Sequence, residues 1–193
     1  MKKLIWPGST QLAPVSAVLV GCGRADTYNL ITVAWAGTIC SKPPMLSISI
    51  RPERYSYQLI LESGEFTVNL PTVEQIRVTD YCGVVSGRDQ DKFKATNLTP
   101  LPGSQVEAPL VAECPLGLEC KVTQTLELGS HTLFIAEIVA VQVSEKFVNA
   151  EGRLELEKAQ LTAYVHGHYH ALGEAIGHFG YSVRKKPGNI VRK

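Results

Sequence analysis

Asn29-Leu30-Ile31-Thr32-Val33-Ala34-Trp35 is the stretch that decides the reading of this chain. It follows an apolar, β-branched run, Val15 to Cys22, that suits a buried strand. The turn signal Gly23-Arg24-Ala25-Asp26 separates the two, and a strand pattern resumes from Tyr28 to Ala34. Strands with so short a connection pair antiparallel. Downstream comes Ser41-Lys42-Pro43-Pro44-Met45-Leu46-Ser47-Ile48-Ser49-Ile50-Arg51, a rigid double-proline turn and a third strand, Met45 to Ile50, that ends on a cation. A hydroxyl-rich segment ending in Trp, then a strand ending in Arg, can form one wall of a pocket. Such a wall offers an aromatic face, short hydrogen-bonding groups and a positive charge.

Further along, Tyr55 to Ser63 has helical spacing, with Gly64 placed as its C-cap. Glu65 to Leu70 reads as a strand ended by Pro71. Thr72-x-x-Gln75 is a capping-box signature for a second helix that runs towards Tyr81 and ends near Gly83. Val84 to Pro109 is turn-rich, and so long an irregular segment is more often functional than idle. From Gly117 to Val143 two alternating runs flank the hairpin signal Gly129-Ser130. Phe147 to Arg153 reads as a loop, Leu154 to Leu161 as another strand, and Tyr164 to Ser182 as a tail rich in Gly, His and aromatics. Six or more antiparallel strands and two short helices predict an all-β barrel with helical insertions.

At 193 residues the chain is expected to form one domain, 1–193, with a substantial core. Hydrophobic residues make up 45% and charged residues 19%, as in an ordinary globular protein. The formal net charge of +1 speaks against a broad basic surface for nucleic acid but leaves room for a local phosphate pocket. No apolar run reaches the length of a membrane span, and the stretch after Lys2-Lys3 stops at Pro7, so a cytoplasmic protein is expected. Cys22, Cys40, Cys82, Cys114 and Cys120 include no Cys-x-x-Cys pair and are expected to be free thiols. His166, His168 and His170 would share a face on a strand, but no acidic or thiol partner is close in sequence, and no metal site is expected.

Taken in order, these elements resemble the flavoredoxin branch of the flavin reductase-like proteins. The resemblance runs from Pro14 to Ser182. It rests on Asn29-x-x-Thr32-x-Ala34-Trp35, Lys42-Pro43-Pro44, Ser49-Ile50-Arg51-Pro52-Glu53-Arg54-Tyr55-Ser56, Phe66-Thr67-Val68-Asn69-Leu70-Pro71, Ser86-Gly87 with Asp91-Lys92-Phe93, His131-Thr132-Leu133-Phe134, and Gly177-His178-Phe179-Gly180-Tyr181-Ser182. Each is weak alone; their order and spacing make the signal. The resemblance implies a mainly β, antiparallel split β-barrel that binds FMN, and a homodimer with FMN near the subunit interface.

It also implies a role for each element, beside which the residues keep a plainer reading. Trp35 borders the flavin ring, or is core at a strand end. Asn29 and Thr32, with the backbone of Val33 and Ala34, address the ring's polar edge, or sit in an ordinary edge strand. Arg51, Arg54 and Ser56, with Ile50 beside them, surround a helix N-terminus suited to the phosphate; otherwise the arginines are solvated partners of Glu53. Ser86 and Lys92 count among the FMN contacts, or Lys92 is a surface lysine paired with Asp89 or Asp91. His131, at the hairpin tip, is the one catalytic candidate, through a hydrogen bond or proton delivery. Tyr164 falls where the family carries an aromatic residue beside the flavin. Asn69 is either a strand-end cap or a flavin contact.

The function so implied is that of an FMN-binding electron-transfer flavoprotein or flavin reductase. No Gly-x-Gly-x-x-Gly follows the first strand, so NAD(P)H, if it is the donor, must stack over the flavin in an open cleft; another redox carrier is the alternative donor. The rival readings are a non-catalytic split-barrel binder or scaffold, and a pyridoxamine-phosphate oxidase-like enzyme whose motif order fits less well. A scaffold has no need of a phosphate clamp (Arg51, Arg54, Ser56, Lys92) beside an aromatic wall. Cys40 stays open between packing and redox.

Overall fold

The computed structural model describes residues 1–183. Strands β1 (Val18–Cys22), β2 (Asn29–Val33), β3 (Ala36–Ser41) and β4 (Pro44–Ile50) precede helix α1 (Tyr55–Ser63) and strand β5 (Glu65–Leu70). Helices α2 (Ile76–Val84) and α3 (Lys92–Thr96) and the short strands β6 (Pro100–Leu101) and β7 (Leu110–Val111) occupy the irregular middle. The long hairpin β8 (Leu116–Glu127) and β9 (Thr132–Val143) follows, then the short hairpin β10 (Thr162–Val165) and β11 (His168–Ala171).

Seven strands form one sheet in the order β2-β1-β5-β8-β9-β4-β3, antiparallel at every step. β2 and β3 stand at its opposite edges, yet only Ala34 and Trp35 separate them in the chain. Three Cα steps reach about 11 Å at most. The sheet must therefore curl until its edges nearly meet. The Ser49 N–H donates to the Trp35 carbonyl at 2.9 Å and carries the β3–β4 ladder into this connection. Irregularities in register at Glu119/Cys120 and Val122/Gln124 in β8, and at Thr38/Cys40 in β3, supply local bending. The result is the expected mainly β split barrel.

Period-two alternation sorts the side chains of β1 and β2 into two cores. Val18, Val20, Cys22, Ile31 and Val33 pack inside the barrel with Ile48, Phe66 and Phe134. Leu19 and Leu30 face outward, under Cys82 of α2 and Phe93 of α3. Helix α1 matches its sequence reading. Gly64 ends it at φ +69°, donating its N–H to the Ile60 carbonyl at 2.9 Å. The Thr72–Gln75 box also forms, with the Thr72 N–H donating to the Gln75 side-chain oxygen at 2.8 Å. All five cysteines are free. No described helix is long and apolar enough to cross a membrane.

Some expectations need correction. The first strand begins at Val18, and Val15 makes only an isolated bridge to Tyr164. Strand β3 has no counterpart in the sequence reading: it is a largely exposed edge without a clear apolar alternation. The expected strand Leu154–Leu161 is instead a 3-10 helix at Leu156–Ala159, with single bridges at Leu154 and Leu161. The Lys158 N–H bonds the Glu155 carbonyl at 3.0 Å and the two side chains form an ion pair, so local helical bonding wins over the alternating leucines. Part of the aromatic tail is the β10–β11 hairpin.

One buried carboxylate pins the irregular middle to the sheet. Glu119 of β8 is fully buried. It accepts hydrogen bonds from the backbone N–H groups of Ser104 (2.9 Å), Gln105 (2.6 Å) and Val106 (3.1 Å), and from the Ser104 hydroxyl and the Gln142 amide. Burial alone would raise its pKa; the donors outweigh burial and hold it at about 2. The folded chain thus binds fewer protons than the unfolded one at low pH. This stabilisation is complete above the ordinary carboxylate value and is lost as pH falls towards about 2. Glu119→Ala strands several buried donors and should cost about 3 kcal/mol, with a flatter acid limb than wild type in denaturant melts at several pH values. A cost near zero, or an unchanged acid limb, would refute the role.

Candidate functional site

The seam between the sheet edges lies beside the start of α1, and two hollows adjoin there. The larger, about 370 Å³, is lined by Asn29, Arg51, Arg54, Ser56, Ser86 and Lys92, together with Tyr55, Glu53, Arg88 and the Cys82–Gly83 end of α2. The smaller, about 190 Å³, is lined by Thr32, Val33, Ala34, Trp35, Ile50 and His131. Ile31, Arg51 and Arg54 line both, so the two form one cleft with a cationic end and an aromatic end.

The cationic end is built on α1. Arg54 is its N-cap residue, no side chain caps the helix, and no acid stands in its first turn. The Arg54 and Tyr57 N–H groups bond the Arg51 and Arg54 carbonyls at 3.0 Å, which leaves the N–H groups of Tyr55 and Ser56 and the positive end of the helix dipole available to an anion. Arg51 pairs with Glu53 at 3.3 Å, both half exposed, whereas Arg54 makes no ion pair among the described residues. The plainer reading of the arginines thus holds for one of the two. Buried Ser56 accepts a 2.8 Å hydrogen bond from the Asn29 amide and ties β2 to α1.

Lys92 is not the surface lysine that pairing with Asp89 or Asp91 would make it. It is only 3% exposed, and its ammonium donates to the carbonyls of Leu30 (2.6 Å) and Cys82 (2.8 Å). Asp91 instead caps α3, accepting from the Lys94 N–H at 3.1 Å. Burial pushes the Lys92 pKa below its ordinary value, and the Arg54 charge adds to the shift. Burial also lifts the Cys22 and Cys82 thiols to about 11, so both stay protonated.

At the other end the Trp35 and His131 rings lie 4.5 Å apart, tilted by 40°. Trp35 is 45% exposed, not the core residue of its plainer reading. Burial lowers the His131 pKa, and Arg51 lowers it further against the opposing charge of Glu53. The imidazole is therefore mainly neutral at pH 7. Its Nδ1 lies 2.9 Å from the Ser130 hydroxyl. Thr32 donates its hydroxyl to the Thr79 carbonyl and so locks β2 to α2 behind the cleft.

Two candidates lie outside the cleft. Asn69 is fully buried and spent on structure: its amide donates to the Leu19 carbonyl (3.1 Å) and the Thr67 hydroxyl, and its oxygen accepts from the Val111 N–H. Tyr164 sits on the β10–β11 hairpin against Tyr169, with ring centroids 5.2 Å apart. His168 and His170 do share a face of β11, their centroids 6.5 Å apart, but His166 occupies the turn at φ +43°. No group of three or more metal-type ligands occurs among the described residues.

Sequence reasoning missed Arg88. It lines the cationic end, its guanidinium lies 5.4 Å from the centre of the Tyr55 ring, and it donates to the Glu53 carbonyl at 3.2 Å. The Ser86-Gly87 signal was its only local marker. Gly87 is needed for close approach: a Cβ there would stand 2.1 Å from the Asn29 amide oxygen and 2.9 Å from the Tyr55 ring.

The profile described as "Flavin reductase like domain" matches residues 12–173. An uncharacterized protein of Archaeoglobus fulgidus is 34% identical over 136 residues, covering 70% of this chain and 76% of its own. The solved flavoredoxin of Desulfovibrio vulgaris (Miyazaki F) is similar at a TM-score of 0.87 and 35% identity, over 95% of this chain and all of its own. Flavoredoxin from Methanosarcina acetivorans gives 0.86 and 28% identity, with the same coverage.

Gly87→Ala should push the Asn29 side chain away from Ser56 and cost about 2 kcal/mol. For a chain of this size that is a fall of roughly 4–8 °C in Tm. A thermal melt that matches wild type would show that the contact can relax.

Proposed function

The chain belongs to the flavin reductase-like family, and from that premise we propose that its cleft binds FMN and that the protein is an oxidoreductase of flavoredoxin or flavin reductase type. The observation that carries the reading is the single cleft with a phosphate-type anion site at one end and an aromatic pair at the other. The residues fit the group. The uncapped N-terminus of α1, Arg54, Arg51, Ser56 and Ser86 would hold a phosphate, with the buried charge of Lys92 behind them. Trp35, Ile50 and the backbone from Thr32 to Ala34 would border the ring, and Asn29, oriented by Ser56, lines the cationic end.

Bound there, FMN would supply the electron-transfer chemistry. The protein's part is to position the flavin and tune its potential. A cation near the ring favours added negative charge on a scale of about 1 kcal/mol. Neutral His131 can donate or accept one hydrogen bond at the open aromatic end, which suits proton delivery. NAD(P)H would approach on that side, since the chain has no dedicated dinucleotide motif; another redox protein is the alternative donor. Anaerobic mixing with NADH and NADPH separates the two. Five free thiols fit a reducing, cytoplasmic setting.

We place the protein in a homodimer with the flavin near the interface. Leu4, Ile5 and Trp6 at one end of the chain, and Ile176 and Phe179 at the other, expose large apolar side chains that a second copy would cover. Light scattering should report twice the chain mass; a monomer would count against the arrangement.

Purified protein should be yellow and release FMN on denaturation. Arg54→Ala should weaken FMN about tenfold, the loss of one charge-assisted contact of ~1.4 kcal/mol, and leave riboflavin binding nearly unchanged. Fluorescence titration with both ligands reads this out. Colourless protein that takes up no added FMN would sink the proposal.

A further inference from the structure

A second groove lies behind the wall that bounds the cationic end of the cleft. Its volume is about 380 Å³, within the range of small-molecule sites, roughly 300–1,000 Å³. Tyr55 and Gly87 line both cavities and form the wall between them. That wall is closely packed: a Cβ on Gly87 would stand 2.9 Å from the Tyr55 ring. The groove is therefore a site of its own. Three aromatic side chains meet there, Tyr28, Tyr55 and Phe93, and the Tyr28 and Phe93 rings lie 6.3 Å apart, tilted by 56°. Both tyrosines are half-buried and Phe93 is buried. The sign of charge also reverses across the wall. The cleft carries Arg51, Arg54, Arg88 and Lys92, whereas the charged residues lining the groove are Asp26 and Asp91. Asp91 spends one oxygen on the α3 cap. Asp26 makes no ion pair among the described residues.

We infer that the groove binds a small organic cation, an ammonium group on an aromatic body, at a site separate from the cleft. The face of an aromatic ring carries negative potential and attracts such a cation. The Tyr55 ring already does so on the cleft side, where the Arg88 guanidinium lies 5.4 Å from its centre. The carboxylates add attraction for the ammonium, and the Gln90 side-chain oxygen is a further acceptor for its protons. The same carboxylates repel the phosphorylated ligands that suit the cleft. A neutral aromatic molecule gains the ring contacts but not the charge. A metal ion is a poor match, because it needs several oxygen ligands at short, fixed distances, and no group of three or more metal-type ligands occurs among the described residues. A bare alkylammonium leaves most of the aromatic lining uncovered. This site does not depend on what the cleft holds.

Calorimetric titration of the full chain with phenethylammonium, neutral phenethyl alcohol, anionic hydrocinnamate and butylammonium decides the matter. Phenethylammonium should bind one-to-one and about tenfold tighter than the alcohol, with hydrocinnamate the weakest of the four. Asp26 is exposed, so Asp26→Asn leaves the fold intact. It should weaken the ammonium about fivefold and leave the alcohol nearly unchanged. Tyr28→Ala should weaken both ligands, and Tyr28→Phe, which keeps the ring, should restore them. Prior saturation with FMN should leave the ammonium's affinity nearly unchanged. Equal affinity for ammonium and alcohol, an unchanged affinity in Asp26→Asn, butylammonium binding as tightly as phenethylammonium, displacement by FMN, or no heat of binding at millimolar ammonium would each overturn the inference. None of these outcomes touches the flavin reading of the cleft, which stands or falls on the FMN titration.

Discussion

The fold depends on one short connection. Ala34 and Trp35 are all that joins the two far edges of a seven-stranded sheet, and no flat sheet satisfies so small a span. Curling follows from it, and so does the location of the cleft. The seam cannot be closed by a full ladder of strand pairing, so it holds a hollow rather than a packed interface. The same two residues line that hollow, with Trp35 turned outward beside His131. The constraint that shapes the barrel therefore also sets the aromatic end of the site.

The cationic end is set from the other side of the sheet. The outward-facing residues of β1 and β2 form a second core under α2 and α3, which places Lys92 and the Ser86–Arg88 turn against the open edge of the barrel. Polar anchors hold this layer in register. The Thr32 hydroxyl reaches α2, Lys92 spans the carbonyls of β2 and α2, and Asn69 fixes the β7 backbone. Each satisfies groups that burial would otherwise leave unpaired. Specificity of packing and geometry of the site are thus one set of contacts.

Much of this was legible in the residues because it depends on local signals. Helix α1, strand β5, the Thr72–Gln75 box and the β8–β9 hairpin need only periodicity, capping and turn chemistry. The convergence of Trp35 with Arg51 and Arg54 on one cleft is not local, since it depends on the curl of the whole sheet; it was implied by the family resemblance that the ordered motifs carry. What stayed hidden depends on distant partners. Strand β3 owes its existence to pairing with β4, since its own residues carry little alternation. The burial of Lys92 depends on carbonyls 62 and 10 residues away. Glu119 looks like any polar residue on a strand until the Ser104–Val106 loop folds over it. Leu154–Leu161 shows the opposite case, where a convincing alternation yields to the local bond between Glu155 and Lys158.

The burial of Lys92 has a consequence for how the cleft meets its solvent. Counterions screen exposed charges over a Debye length of about 8 Å at physiological salt, but they cannot enter the packed wall where this ammonium sits. The Arg51–Glu53 pair, half in water, fades as electrolyte is added. Part of the cleft's attraction for anions is thus only weakly screened by salt, and part is adjustable by it. A site built on that division keeps its grip in brine while its capture of ligand from dilute solution slows.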